Sequence, residues 1–150
     1  MKWILLIVVA AIAAVVGYMT WTNSRVPAGL GVQQGRLAPL PSSPNGVSSF
    51  ASDPSKQVAA LPFKEDLQQS MLAALASLAA LGNNETVTRD SDYLHAVFVS
   101  EQMRYRDDFE LYFDEAQGVV HLRSQSRVGH SDMGVNRARY EAFAEAYASR

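Results

Sequence analysis

The stretch Met103-Arg-Tyr-Arg-Asp-Asp-Phe-Glu-Leu-Tyr-Phe-Asp-Glu-Ala-Gln-Gly-Val-Val-His-Leu-Arg-Ser124 decides the architecture. Apolar and polar residues alternate on both sides of Glu115–Gly118, the pattern of two half-buried strands joined by a tight turn. With those four residues as the loop, Asp114 faces Val119. Phe113 then pairs with Val120, Tyr112 with His121, Leu111 with Leu122 and Glu110 with Arg123. Apolar pairs fall on one face and polar pairs on the other. A slip of one residue would invert every side chain, so the pattern admits this register alone.

Working outward, Glu85–Asp90 and Tyr93–Ser100 read as two further antiparallel strands before Met103–Asp114 and Gly118–Ser124. Upstream, Leu67, Met71, Leu75, Leu78 and Leu81 recur at helical spacing from Glu65 to Leu81, and Gly82-Asn83 makes a natural stop. Downstream, Tyr140, Phe143 and Tyr147 form a stripe on a last helix from about Met133 to Ser149, with Ser131 or Asp132 as N-cap. The expected domain, residues 37–150, is α+β: a two-layer sandwich of a four-stranded antiparallel sheet and two helices, in the order αββββα.

The domain is preceded by an apolar run. From Trp3 to Trp21 there is no charge, and about 19 residues span roughly 29 Å as a helix, close to a bilayer core. Trp3, Tyr18 and Trp21 sit near its ends, where aromatic rings favour the interface. Ala11-Ile-Ala13 resembles a signal-peptidase site, but Val15 and Val16 continue the apolar run beyond it. Residues 1–22 are therefore expected to be an uncleaved transmembrane anchor. Lys2 before it and Arg25 after it favour a soluble part in the periplasm or an equivalent non-cytoplasmic space. Residues 23–36 read as a flexible spacer and Leu37–Phe50 as a docked loop, with Pro44-Asn45-Gly46 as its turn.

Composition narrows the function classes. There is no cysteine, which excludes disulfides, a thiolate nucleophile and a cysteine-ligated metal. The net charge of −2 gives no footprint for nucleic acid. Ten arginines against three lysines suit bidentate pairing with carboxylates rather than a merely solvated surface.

The densest polar run is Arg123 to Glu141, with Arg123, Arg127, Arg137 and Arg139 among serines, Asp132 and Asn136. Two roles compete for it. In one, the N-terminus of the last helix and Arg123, Arg127 and Arg137 bind a carboxylate or phosphate. In the other, Asp132 caps the helix, Arg127 pairs with Asp107 or Asp108, and Asn45 and Ser48 dock beside them. Alternation turns Asp107 toward the core, where a carboxylate needs a partner, and Arg127 is the expected one. The face bearing Arg104, Arg106, Asp108, Glu110, Tyr112, His121 and Arg123 is expected to stay open to solvent or a partner. A metal site from Asp107, Asp108, His121 and His130 lacks recognised ligand spacing and is split by the register. A triad of adjacent His130, Ser131 and Asp132 lacks the required geometry.

Pro41-Ser-Ser-Pro-Asn-Gly-Val-Ser-Ser49, Asp107-Asp-Phe-Glu110 and Arg123-Ser-Gln-Ser-Arg-Val-Gly-His-Ser-Asp-Met-Gly-Val-Asn-Arg137 together resemble the domain of unknown function 1499 family, over about Leu37 to Tyr147. The resemblance implies no established chemistry. The family usually has Cys where this chain has Gly46, and often Tyr where it has His130.

The expected function is a membrane-anchored, non-enzymatic accessory or binding domain without cofactor or metal. Its partner would be an envelope protein or a small anionic ligand, held by Asn45, Ser48, Asp107, Asp108, Glu110, Arg123, Ser126, Arg127, Ser131, Asp132, Asn136 and Arg137. The alternative is an enzyme acting on an envelope or isoprenoid-like substrate at the Arg123–Arg139 edge.

Overall fold

A computed structural model describes residues 1–150. Helix α1 (Lys2–Ser24) has a mean hydropathy of 2.4 and no buried residue, so it is long and apolar enough to cross a membrane or to act as a signal sequence. Two short strands, β1 (Val32–Gln33) and β2 (Arg36–Leu37), form a small hairpin, and β3 (Gly46–Ser48) and β4 (Leu61–Pro62) follow. Then come α2 (Leu67–Leu81), β5 (Asn84–Arg89), β6 (Tyr93–Val99), β7 (Arg106–Asp114), β8 (Val119–Ser126) and α3 (Val135–Ala148).

The α+β class stands, and the β7–β8 register is the expected one at every pair from Glu110↔Arg123 to Asp114↔Val119. The sheet is larger than expected, with six antiparallel strands instead of four: five in the order β3-β8-β7-β6-β5, and β4 also paired to β8. The outer edge of β8 is shared: β3 pairs with Arg123–Gln125 and β4 with Val119–Val120. Strands of three and two residues are too short to show a period, which is why they escape a pattern reading.

One face of the sheet carries the core. Phe109, Leu111, Val120 and Leu122 are fully buried beneath α2 and α3, with the Phe109 ring edge-on to Phe98 and Phe143. Helix α2 begins where Asp66 accepts the Gln69 N–H at 2.7 Å, and it ends at Gly82 with φ +65°, a conformation glycine adopts without strain. Helix α3 starts two residues later than expected. Met133 takes a φ of +55° and Gly134 occupies the N-cap position, while Asp132 still caps from outside, accepting from Gly134 N at 3.1 Å and Asn136 N at 2.8 Å.

The opposite face is not open. Residues 23–36, expected as a spacer, are laid against it, with the Gly31 N–H donating to Glu110 Oε1 at 2.8 Å and Leu37 buried. Under this cover Asp108, Glu110, His95, His121 and Arg123 are all buried. The reason is chemical: a face carrying two carboxylates and an arginine is stable under cover only when each charge has a partner, and here each has one.

Candidate functional site

Alternation along β7 sends two adjacent aspartates to opposite faces, and each organises its own network. On the helix face Asp107 Oδ2 accepts from Arg139 Nη2 at 2.7 Å. Arg139 Nη1 also donates to Asn136 Oδ1 at 2.7 Å. Asn136 is fully buried, and its Nδ2 donates to the Asn45 carbonyl, Ser126 Oγ and Asp132 Oδ2 at 2.8–3.1 Å. Asn45 in turn donates to the Gly129 carbonyl at 2.7 Å. This network ties β3, the end of β8 and the start of α3 into one knot. The Asp132 carboxylate already occupies the N–H groups at the α3 N-terminus, so the anion expected there meets a filled site.

On the other face Asp108 accepts two hydrogen bonds from Arg127, at 2.7 and 2.8 Å, and lies 2.8 Å from His95 Nε2, which donates to it. Burial pushes the Asp108 carboxyl up, but the His95 and Arg127 hydrogen bonds and their charges outweigh it and hold it below its ordinary value. Glu110, fully buried, accepts from Arg123 Nη1 at 2.9 Å, the Tyr93 hydroxyl at 2.8 Å and Gly31 N. Burial and then the Glu110 charge push the Tyr93 hydroxyl far above its usual range, so it remains a donor.

Where this second network meets the end of α1 there is a cavity of about 380 Å³. Trp21, Thr22 and Arg25 form one wall, and Asp108, Arg123 and Arg127 form another. Two buried polar atoms in this lining have no partner, Thr22 Oγ1 and Arg123 Nε. Arg123 is only 6 % exposed, yet it spends Nη1 on Glu110 and Nη2 on Gln125, leaving Nε free. Arg25 is exposed, stacks 4.3 Å over the Trp21 ring and belongs to none of the four ion pairs. A free N–H in a cationic, partly enclosed space is suited to an anion.

A family model described as "Protein of unknown function (DUF1499)" matches residues 36–147. The chain belongs to this family. No curated protein and no solved structure matches the chain. The DUF1499 match covers Asp108, Arg123 and Arg127, while the opposite cavity wall, from Trp21 to Ala28, lies outside it.

The candidate residues read from the sequence therefore divide. Asn45, Asp107, Ser126, Asp132 and Asn136 are joined in the helix-face knot, and Asp108, Glu110, Arg123 and Arg127 in the buried network across the sheet. Arg123, Arg127, Asp108 and Ser126 also line the cavity. Arg137 clamps a loop, donating to the carbonyls of Ser55 and Gln57 at 2.8 and 3.1 Å. Ser48 Oγ accepts from Phe50 N, and Ser131 Oγ from Met133 N. The partner expected for Asp107 is corrected: Arg139 holds it, and Arg127 holds Asp108. Residues outside that candidate set also take part: His95, Tyr93, Arg139, and Asn23, whose carbonyl accepts from Arg127 Nη1 at 3.4 Å. Arg139 carries a signal, since it lies three residues after Asn136 on the same helical face. For Asn23, at the end of an apolar run, the sequence shows none.

Proposed function

We propose that this chain is a membrane-anchored binding domain, held by α1 on the periplasmic or an equivalent non-cytoplasmic side, that takes a small anionic group into the cavity where α1 meets the sheet. The supporting observation is the buried Arg123 Nε, unpartnered at the wall of that cavity. A buried donor left empty costs about 1–3 kcal/mol. An anion that accepts from it recovers that cost and gains the attraction of Arg25 besides. A phosphate or carboxylate oxygen fits both needs.

Thermal denaturation of the full chain in detergent tests the proposal, comparing inorganic phosphate with chloride at matched ionic strength. A ligand present at a hundred times its Kd adds about 2.7 kcal/mol of stability. The expected result is a saturable rise in Tm with phosphate that is lost in Arg123→Gln. Equal Tm values in the two salts across the titration would count against the reading.

A further inference from the structure

We infer that the turn between β6 and β7 is a second membrane contact, and that the groove it forms with α1 seats a bilayer phospholipid with an anionic headgroup. This rests on the reading of α1 as a membrane span, and concerns the side of the helix away from the cavity just described.

The geometry starts at Asn23. Its Nδ2 donates to the Arg104 carbonyl at 2.9 Å, and its Oδ1 accepts from Arg106 N at 2.8 Å. The amide thus pairs with the chain entering β7 much as a neighbouring strand would, and it fixes where the turn lies along α1. The turn is closed by its own bonds: Ser100 N donates to the Tyr105 carbonyl at 2.9 Å, and Tyr105 N to Ser100 Oγ at 2.9 Å.

From this junction a groove of about 370 Å³ runs back along the helix between Val16 and Met19 on one side and Met103, Arg104, Tyr105 and Arg106 on the other. Val16 precedes Ser24 by eight residues, about 12 Å along a helix axis. It also precedes Tyr18 and Trp21, the aromatic residues suited to the interface. A span that buries Val16 in the bilayer therefore brings the groove floor to the boundary between headgroups and acyl chains. Met103 is 64 % exposed at the tip of the turn, and Val16 is 56 % exposed. In water these would be bare apolar surface; at that depth they meet hydrocarbon.

Arg104 and Arg106 supply the polar half. Neither belongs to the four ion pairs of the chain. An arginine at this level keeps its stem in the apolar layer and its guanidinium among phosphates. Apolar floor and unpaired cations at the rim match the two ends of an anionic phospholipid.

The absence of cysteine makes single nitroxide labels clean. Ile12→Cys, Met103→Cys and Ala116→Cys are labelled separately in the full chain, in vesicles mixing phosphatidylglycerol and phosphatidylcholine. Collision with oxygen is compared with collision with a water-soluble nickel chelate. Ile12 reports the span, and Ala116 reports the far end of β7, about 26 Å from its start. The inference expects Ile12 and Met103 to favour oxygen and Ala116 to favour nickel. Ile12 in lipid with Met103 in water would overturn the inference and leave the anchor standing; Ile12 in water would overturn both. Spin-labelled lipids then test the headgroup: the preference for phosphatidylglycerol falls about fivefold per arginine in Arg104→Gln and Arg106→Gln. An unchanged preference would overturn the assignment of an anionic lipid.

Discussion

Arg127 grips Asp108 through two parallel hydrogen bonds, Nε to Oδ2 at 2.8 Å and Nη2 to Oδ1 at 2.7 Å, and its Nη1 reaches the Asn23 carbonyl at 3.4 Å. One guanidinium thus joins the centre of the sheet to the end of α1. Both side chains of the pair are almost wholly buried, 4 % and 2 % exposed. Arg127→Ala leaves a buried carboxylate with His95 alone. The expected cost is about 3–5 kcal/mol, or roughly 15 °C in Tm, read by thermal denaturation of the full chain in detergent. A Tm equal to wild type would show that the pair does not hold the fold.

Asn136 has no route to water and satisfies groups from β3, β8 and the α3 cap at once. Asn136→Ala takes one hydrogen bond from each of the Asn45 carbonyl, Ser124 Oγ, Ser126 Oγ and Arg139 Nη1, leaving the Asn45 carbonyl with Ser126 N alone and the Ser124 hydroxyl proton without an acceptor. A loss of at least about 2 kcal/mol is expected in urea unfolding. Asn136→Asp should be no better, because a carboxylate cannot donate to the Asn45 carbonyl and sits against Asp132. Recovery of wild-type stability in the aspartate variant would contradict the hydrogen-bond directions given above.

Gly46 is where β3 lies closest to its neighbours. A Cβ there would sit 2.8 Å from the Ser124 carbonyl, 3.0 Å from Leu40 Cδ2 and 3.1 Å from Gln125 Cγ. The first contact is with backbone, which cannot rotate away. Gly46→Ala should therefore cost about 1–3 kcal/mol, and Gly46→Cys at least as much. If either variant unfolds at the wild-type urea concentration, β3 is not packed as described.

Acid should act in two stages. His121 is buried, stacked 4.0 Å from Phe50, and its Nε2 has no partner. Burial lowers its pKa below 6.5, and Arg36 adds to this against the opposing pull of Asp114. A lowered value in the fold means that protonation favours the unfolded chain. The stability His121 contributes is complete above about pH 6.5 and is lost as pH falls through the lower folded value. Asp108 follows the same sign below 3.8, its ordinary value. Urea midpoints measured downward from about pH 7 should decline in both windows, and His121→Phe should abolish only the first. A flat midpoint between about pH 7 and about pH 5 in wild type would refute the assignment to His121.

The central hairpin was legible because a four-residue loop and strict alternation leave a single register. The same register contained the correct partner for Asp108. Asp107 pairs with Ser126, so Arg127, one residue on, lies on the face of Asp108. Assigning Arg127 to Asp107 overlooked that alternation continues past the end of β8, where Arg127 N still bonds the Arg106 carbonyl. The cover over the second face was hidden for a different reason. Its strands, β1 and β2, have two residues each, and its key contact is a main-chain N–H of Gly31 on Glu110, which no side-chain pattern records. The docking of α1 rests on the lone Asn23, and isolated polar residues after an apolar run carry no period.

The most direct measurement is a calorimetric titration of inorganic phosphate into the full chain in detergent, wild type against Arg25→Gln. Arg25 is exposed and outside every ion pair, so its loss leaves the fold intact. The account predicts saturable one-site binding to wild type, weakened about tenfold or more in the variant, as the loss of one charge-assisted contact requires. No saturable heat with wild type, or the same affinity in both proteins, would contradict an anion site at the junction of α1 and the sheet.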